Sequence, residues 1–128
     1  DDAKDLEGSI IVMGGTTPGH STDMVGAKLA GITNASKYII ATNVDGIYTR
    51  DPNKYSNAEK ISEIEIEKLV EKYGTTWKSA GKNIVVDGPA LGIIGKNRIP
   101  TYVLNGNNLD ELKKVLNNKE FSGTKIKV

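Results

Sequence analysis

The ten residues GGTTPGHSTD, from Gly14 to Asp23, bring three glycines, four hydroxyls, a histidine and a carboxylate into one short stretch. Glycines let backbone amides come close to an anion, and the hydroxyls of Thr16, Thr17, Ser21 and Thr22 can donate to anionic oxygens. A helix starting just after such a loop aims its positive end at the same place. That is the chemistry of a phosphate cradle, and an ordinary strand-to-helix turn is the alternative these residues leave open. No GxxxxGK[ST] string occurs, so the chain is not a standard P-loop NTPase.

A second string, ATNVDGIYTRDP at residues 41–52, puts a polar pair, an aromatic and an acid in one loop. Beyond the carboxyl end of a strand this composition can stack an adenine and hold a ribose through a carboxylate. The other reading is a hairpin-like excursion with turns at Asp45-Gly46 and Asp51-Pro52. In a third string, VVDGPALGII, Asp87 stands between a short apolar run and a helix start, where a carboxylate is suited to capping. His20 is the single histidine and is assigned to contact without acid–base duty. Trp77 with Tyr73 reads as packing, and Lys113, Lys114, Lys119, Lys125 and Lys127 as a solvated basic face.

These groups need a scaffold to hold them. The β-branched run SIIVM, residues 9–13, ends at Gly14-Gly15 and reads as a buried parallel strand. Residues 21–32 carry Met24, Val25, Ala27, Leu29 and Ile32 at helical spacing, with Ser21 or Thr22 as cap and Asp23 in the first turn. KYIIAT, residues 37–42, is the next strand, and strand, helix, strand implies a right-handed parallel crossover. Residues 47–49 form a short extended piece, and a surface helix over residues 63–73 closes at Gly74. Then come a strand at 84–86, a helix at 89–97, a strand at 101–104, a helix at 109–116 with Leu109, Leu112, Val115 and Leu116 on one face, and a closing strand at 124–128. The alternation predicts an α/β layered sheet.

Bulk properties narrow the class. The 128 residues suit one domain with a modest core. With 17 basic and 16 acidic side chains the net charge is +1, so no overall field draws the chain to nucleic acid or an anionic membrane. The absence of cysteine removes disulfides, thiolate metal sites and thiol nucleophiles, and suits a reducing compartment. Apolar runs fall well short of the roughly 20 residues a bilayer span needs. The expectation is a soluble, cytoplasmic domain; the polar opening without methionine suggests the middle of a longer protein.

On its two glycine-bearing strings the chain resembles the archaeal-type uridylate kinases of the amino-acid kinase family. GGTTPGHSTD is very similar to that family's UMP-binding loop, and ATNVDGIYTRDP closely matches the loop that receives ATP. By this resemblance Thr17, Pro18, Gly19, His20, Ser21, Thr22 and Asp23 would line the UMP site. Thr42, Asn43, Tyr48 and Asp51 would contact ATP. Asp23 and Asp87 would be the catalytic carboxylates, with Mg2+ bridging the donor phosphates and no dedicated protein metal site.

The resemblance further implies an α/β, three-layer αβα fold with a mainly parallel sheet, of which residues 1–128 would be the C-terminal nucleotide-binding part. The implied reaction moves the γ-phosphoryl group of ATP to UMP in pyrimidine nucleotide biosynthesis, in a homohexamer. Ser21 stands where threonine is usual, Asp87-Gly88-Pro89 departs from the usual order, and Ala80 to Asn83 departs from the usual serine-rich loop. No lysine replaces the one that the family's amino-terminal half supplies, so this polypeptide alone is expected to bind nucleotide poorly and transfer nothing. The alternatives are another acceptor of the same family, such as glutamate, acetylglutamate, aspartate or carbamate, and a non-catalytic nucleotide-binding module.

Overall fold

The computed structural model describes residues 7, 8, 10–77 and 85–128. Helix α1, Thr22–Ile32, begins where Ser21 turns extended and its Oγ accepts from the Met24 amide at 3.0 Å. Strand β1 is Tyr38–Thr42, and strand β2, Glu63–Glu65, runs straight into helix α2, Ile66–Tyr73. Gly74, at φ 73°, ends α2 in a conformation that a side chain would resist. Helix α3, Gly88–Asn97, opens with Asp87 as its cap and a proline in its first turn, where a missing amide proton costs nothing. Strand β3 is Thr101–Asn105, helix α4 is Leu109–Leu116, and strand β4 is Thr124–Lys127.

The four strands lie in the order β1-β3-β4-β2. β1 and β3 are parallel, as are β2 and β4, while β3 and β4 are antiparallel, so the sheet is mixed and mostly parallel. Register puts Ile40 beside Val103, Thr101 beside Ile126 and Ile126 beside Ile64, which lines one face with apolar side chains. That face joins Ala27, Ile66, Leu69, Ala90, Leu91 and Ile94 of α1, α2 and α3 in one core. Leu104 points the other way and is buried where α4 packs on β3, with Val115 sealed beneath the same helix. Helices on both sides of a sheet make the three-layer α/β arrangement. Among the described residues no helix is long and apolar enough to cross a membrane.

Several elements differ from the sequence reading. Residues 10–13 form no strand; Ile10 and Val12 are 86% and 89% exposed, and Ser9 lies outside the described residues. A strand exists by pairing, and no described strand lies alongside this run, so the expected parallel crossover through α1 is not made. Residues 63–65 are a strand, because β4 offers them a ladder and Lys127 pairs with Glu63 and Glu65 at 3.3 and 2.9 Å. Val85 and Val86 sit in a bend without a ladder, and Ile84 is outside the described residues. Leu109 and Leu116 are exposed while Val115 and Glu111 face inward, because the buried face of α4 is the one that residues 111 and 115, four apart, share. The departures at Ala80 to Asn83 fall outside the described residues.

Candidate functional site

β1 ends at Thr42, and the loop that follows folds back as a narrow hairpin. The Ile61 amide donates to the Ile47 carbonyl at 2.8 Å and the Thr49 amide to the Glu59 carbonyl at 2.9 Å, with Tyr48 and Lys60 bridged between them. Buried Thr124 fixes the start of the hairpin: its Oγ accepts from the Ile47 amide at 2.8 Å and donates to the Ile61 carbonyl at 2.6 Å. Gly46 lies so close that a Cβ there would meet the Thr124 hydroxyl at 2.6 Å. At the far end the Asp51 carboxylate accepts from the Asn53 amide at 2.9 Å, an Asx turn that sets the Asp51-Pro52 bend.

Between this hairpin and helices α2 and α3 lies an open cavity of about 290 Å³. Thr42, Asn43, Tyr48 and Asp51 all line it, so the hairpin and the pocket-forming loop are the same object. Its apolar wall is Ile47, Leu69, Val86 and Leu91, all buried. Arg50 also lines the cavity, with its guanidinium 5.4 Å from the Tyr55 ring centre. Sequence reasoning assigned Tyr73 to packing, yet it borders the cavity, and it passed over Val85, Leu69 and Leu91 as sites. Arg50, inside the quoted loop string, carried a signal that could have been read; helical apolar spacing marks Leu69 and Leu91 as core. Trp77, also assigned to packing, is 44% exposed.

The Gly14 to Asp23 loop sits on the surface. Thr17, Pro18, Gly19, His20 and Thr22 are exposed and border none of the cavity. A turn closes between them, with the His20 amide donating to the Thr17 carbonyl at 3.1 Å, Gly19 at φ 89°, and the Thr16 hydroxyl 3.3 Å from His20 Nδ1. Ser21 and Asp23 are half-buried.

Ser21 joins this loop to the cavity. Its hydroxyl donates to Asp87 Oδ2, while Asp87 Oδ1 accepts from the Ala90 amide at 2.9 Å. Asp87 therefore caps α3 as its position suggested, and holds the cap of α1 with the same carboxylate. Burial raises the pKa of Asp23 above its ordinary value, the nearby Asp87 charge adds to the rise, and a backbone hydrogen bond from Asp87 opposes it. The Tyr38 hydroxyl donates to the Asp23 carbonyl at 2.9 Å and its own pKa is pushed up by burial and then by both carboxylates. Gly26 makes room for that ring, since a Cβ would stand 2.6 Å from the hydroxyl oxygen. Two acids, two helix amino ends and the Val85-Val86 wall of the cavity thus converge. Such a junction can place two phosphate-bearing ligands next to each other. Among the described residues no group of three or more His, Cys, Asp or Glu gathers as a metal cluster.

The chain is similar to known proteins. Uridylate kinase of Methanococcus vannielii is 46% identical over 109 residues, 85% of this chain and 48% of that protein. Uridylate kinase of Methanococcus aeolicus is 41% identical over 117 residues, 91% of this chain and 51% of that protein. The crystal structure of uridylate kinase from Archaeoglobus fulgidus superposes with a TM-score of 0.74 at 39% identity, covering 89% of this chain and 50% of the other. The chain spans about half the length of the curated relatives it matches. Residues 4–105, most of the chain, match the amino acid kinase family, and the chain belongs to that family.

Proposed function

We propose that these 128 residues are the C-terminal, nucleotide-binding part of a uridylate kinase, which transfers the γ-phosphoryl group of ATP to UMP to give UDP and ADP. The observation that carries this reading is the cavity bordered by Thr42, Asn43, Tyr48 and Asp51, joined through Asp87 and Ser21 to the loop that matches UMP-binding strings. The name of the relatives, uridylate kinase, supports UMP as the acceptor.

In this reading Tyr48 and the apolar wall take the adenine, and Asp51 takes the ribose. Thr17, Pro18, Gly19, His20, Ser21 and Thr22 surround the UMP phosphate on the amino end of α1, where backbone amides and the helix dipole favour an anion. A UMP phosphate oxygen attacks the γ-phosphorus, the bond to the β-γ bridging oxygen breaks, and ADP leaves with the electron pair. The protein supplies placement and charge balance in such a step. Mg2+ held by the donor phosphates would neutralise their charge, and Asp23 and Asp87 are the carboxylates that would orient it. Asp23 orders the groups around the moving phosphoryl; Asp87 holds the loop and the α3 amino end in line. Assembly into homohexamers belongs to the same reading and is open to light scattering.

The test is a chimera in which this chain replaces the corresponding half of the Methanococcus vannielii enzyme. It is expected to form UDP from UMP and ATP, and to lose that activity when Asp23 becomes Asn. The 128-residue chain alone is expected to form none. A folded chimera that binds ATP yet phosphorylates another acceptor, or none, would sink the proposal.

A further inference from the structure

The turn that ends β3 reaches across to the donor loop. Asn105 Nδ2 donates to Asp45 Oδ1 at 2.9 Å, and Asn105 Oδ1 accepts from the Asn107 amide at 3.0 Å, so both ends of one amide are in use. Next to it the Gly106 amide donates to the Thr42 carbonyl at 2.8 Å, and Thr42 is the strand neighbour of Asn105. Asn105 borders none of the cavity, and neither does Asp45. Yet Asp45 lies between Val44 and Ile47, and Thr42 precedes them; all three border it. The first residues of the donor loop are therefore held on one side by Thr124, through the Ile47 amide, and on the other by Asn105, through Asp45.

Charge makes the choice of residue specific. Asp45 needs a donor, and an asparagine offers one while its oxygen serves the turn. An aspartate at position 105 could keep the turn but would set a carboxylate against a carboxylate. A hydrogen bond to an ionised acceptor is also stronger than a neutral one, so this contact can hold a loop that is otherwise exposed.

We propose that Asn105 is a positioning residue for the donor nucleotide, acting through Asp45 to hold Val44 to Tyr48 in the shape that receives it. The inference rests on the reading of this cavity as the donor site. It assigns the β3 end, which no loop string marked, to control of nucleotide affinity.

The experiment uses the whole chain, 15N-labelled and titrated with ADP by NMR, a method that reads weak affinities. Four proteins are compared: the natural chain, Asn105→Ala, Asn105→Asp, and Asn105→Asp combined with Asp45→Asn. Each single variant is expected to bind ADP roughly five- to tenfold more weakly, the scale of one solvent-exposed hydrogen bond. The exchanged pair restores the contact with donor and acceptor reversed, so affinity and the Ile47 and Tyr48 amide shifts return toward those of the natural chain. A role in packing alone would not follow that reversal. An exchanged pair no better than Asn105→Asp, or single variants whose Ile47 and Tyr48 amides do not move, overturns the proposal. A natural chain that binds no ADP overturns the donor reading and the nucleotide role with it, and is told apart because the amide shifts still follow the pair.

Discussion

Ser21 and Asp87, 66 positions apart in the chain, share one hydrogen bond that ties the cap of α1 to the cap of α3. Each of the two side chains also accepts from a helix amide, Met24 for Ser21 and Ala90 for Asp87. One small contact thus sets how the Gly14 to Asp23 loop enters α1 relative to the start of α3.

Replacing Ser21 with Ala removes the α1 cap and the donor to Asp87 together. A lost cap costs about 1 kcal/mol and a half-buried charged hydrogen bond costs about as much again. Urea unfolding is expected to show a loss of roughly 2 kcal/mol with an unchanged slope, whereas Ser21→Thr, which keeps the hydroxyl, is expected to stay near the natural chain.

Asp23 gives a pH dependence. Its folded pKa lies above the ordinary 3.8 because burial and the Asp87 charge disfavour the carboxylate. The folded state therefore binds the proton more tightly than the unfolded one, and ionisation of Asp23 destabilises the fold at neutral pH. Asp23→Asn is expected to melt at a higher temperature than the natural chain at pH 7. The gap should close as pH falls through the raised pKa toward the ordinary 3.8, where both forms are neutral. Equal melting temperatures across that window would remove the electrostatic account.

Gly88 is expected to tolerate no side chain. A Cβ there would stand 2.6 Å from the Thr76 carbonyl oxygen and 2.9 Å from the Thr76 amide nitrogen, both backbone atoms that cannot swing aside. Gly88→Ala forces α3 away from residues 74–76 and is expected to cost about 1–3 kcal/mol, read by thermal or urea unfolding.

Thr124→Val keeps the shape of a fully buried residue and deletes its hydroxyl. The Ile47 amide then has no acceptor and the Ile61 carbonyl loses a donor. A loss of about 1–3 kcal/mol is expected, with faster hydrogen exchange at Ile47 than at the β1 and β3 ladder amides.

Local signals in the chain were enough for the elements that carry their own instructions. Ser21 and Asp87 are cap residues wherever a helix follows, Gly74 stops α2, and Leu109–Leu116 has the spacing of a helix whatever packs against it. The string at residues 41–52 likewise marked the residues that border the cavity on its loop side. Pairing and convergence were settled in three dimensions. The β-branched run at residues 10–13 has strand propensity without a strand beside it, while Glu63–Glu65, rich in charge and read as helix, became a strand because Lys127 and the β4 ladder were there to receive it. A strand's hydrogen bonds go to another part of the chain, so no window of sequence contains both partners. The same holds for the cavity: Leu69, Val86 and Leu91 meet only when α2 and α3 close over β1, and the Asp23–Asp87 repulsion exists only because two distant helix starts were brought face to face.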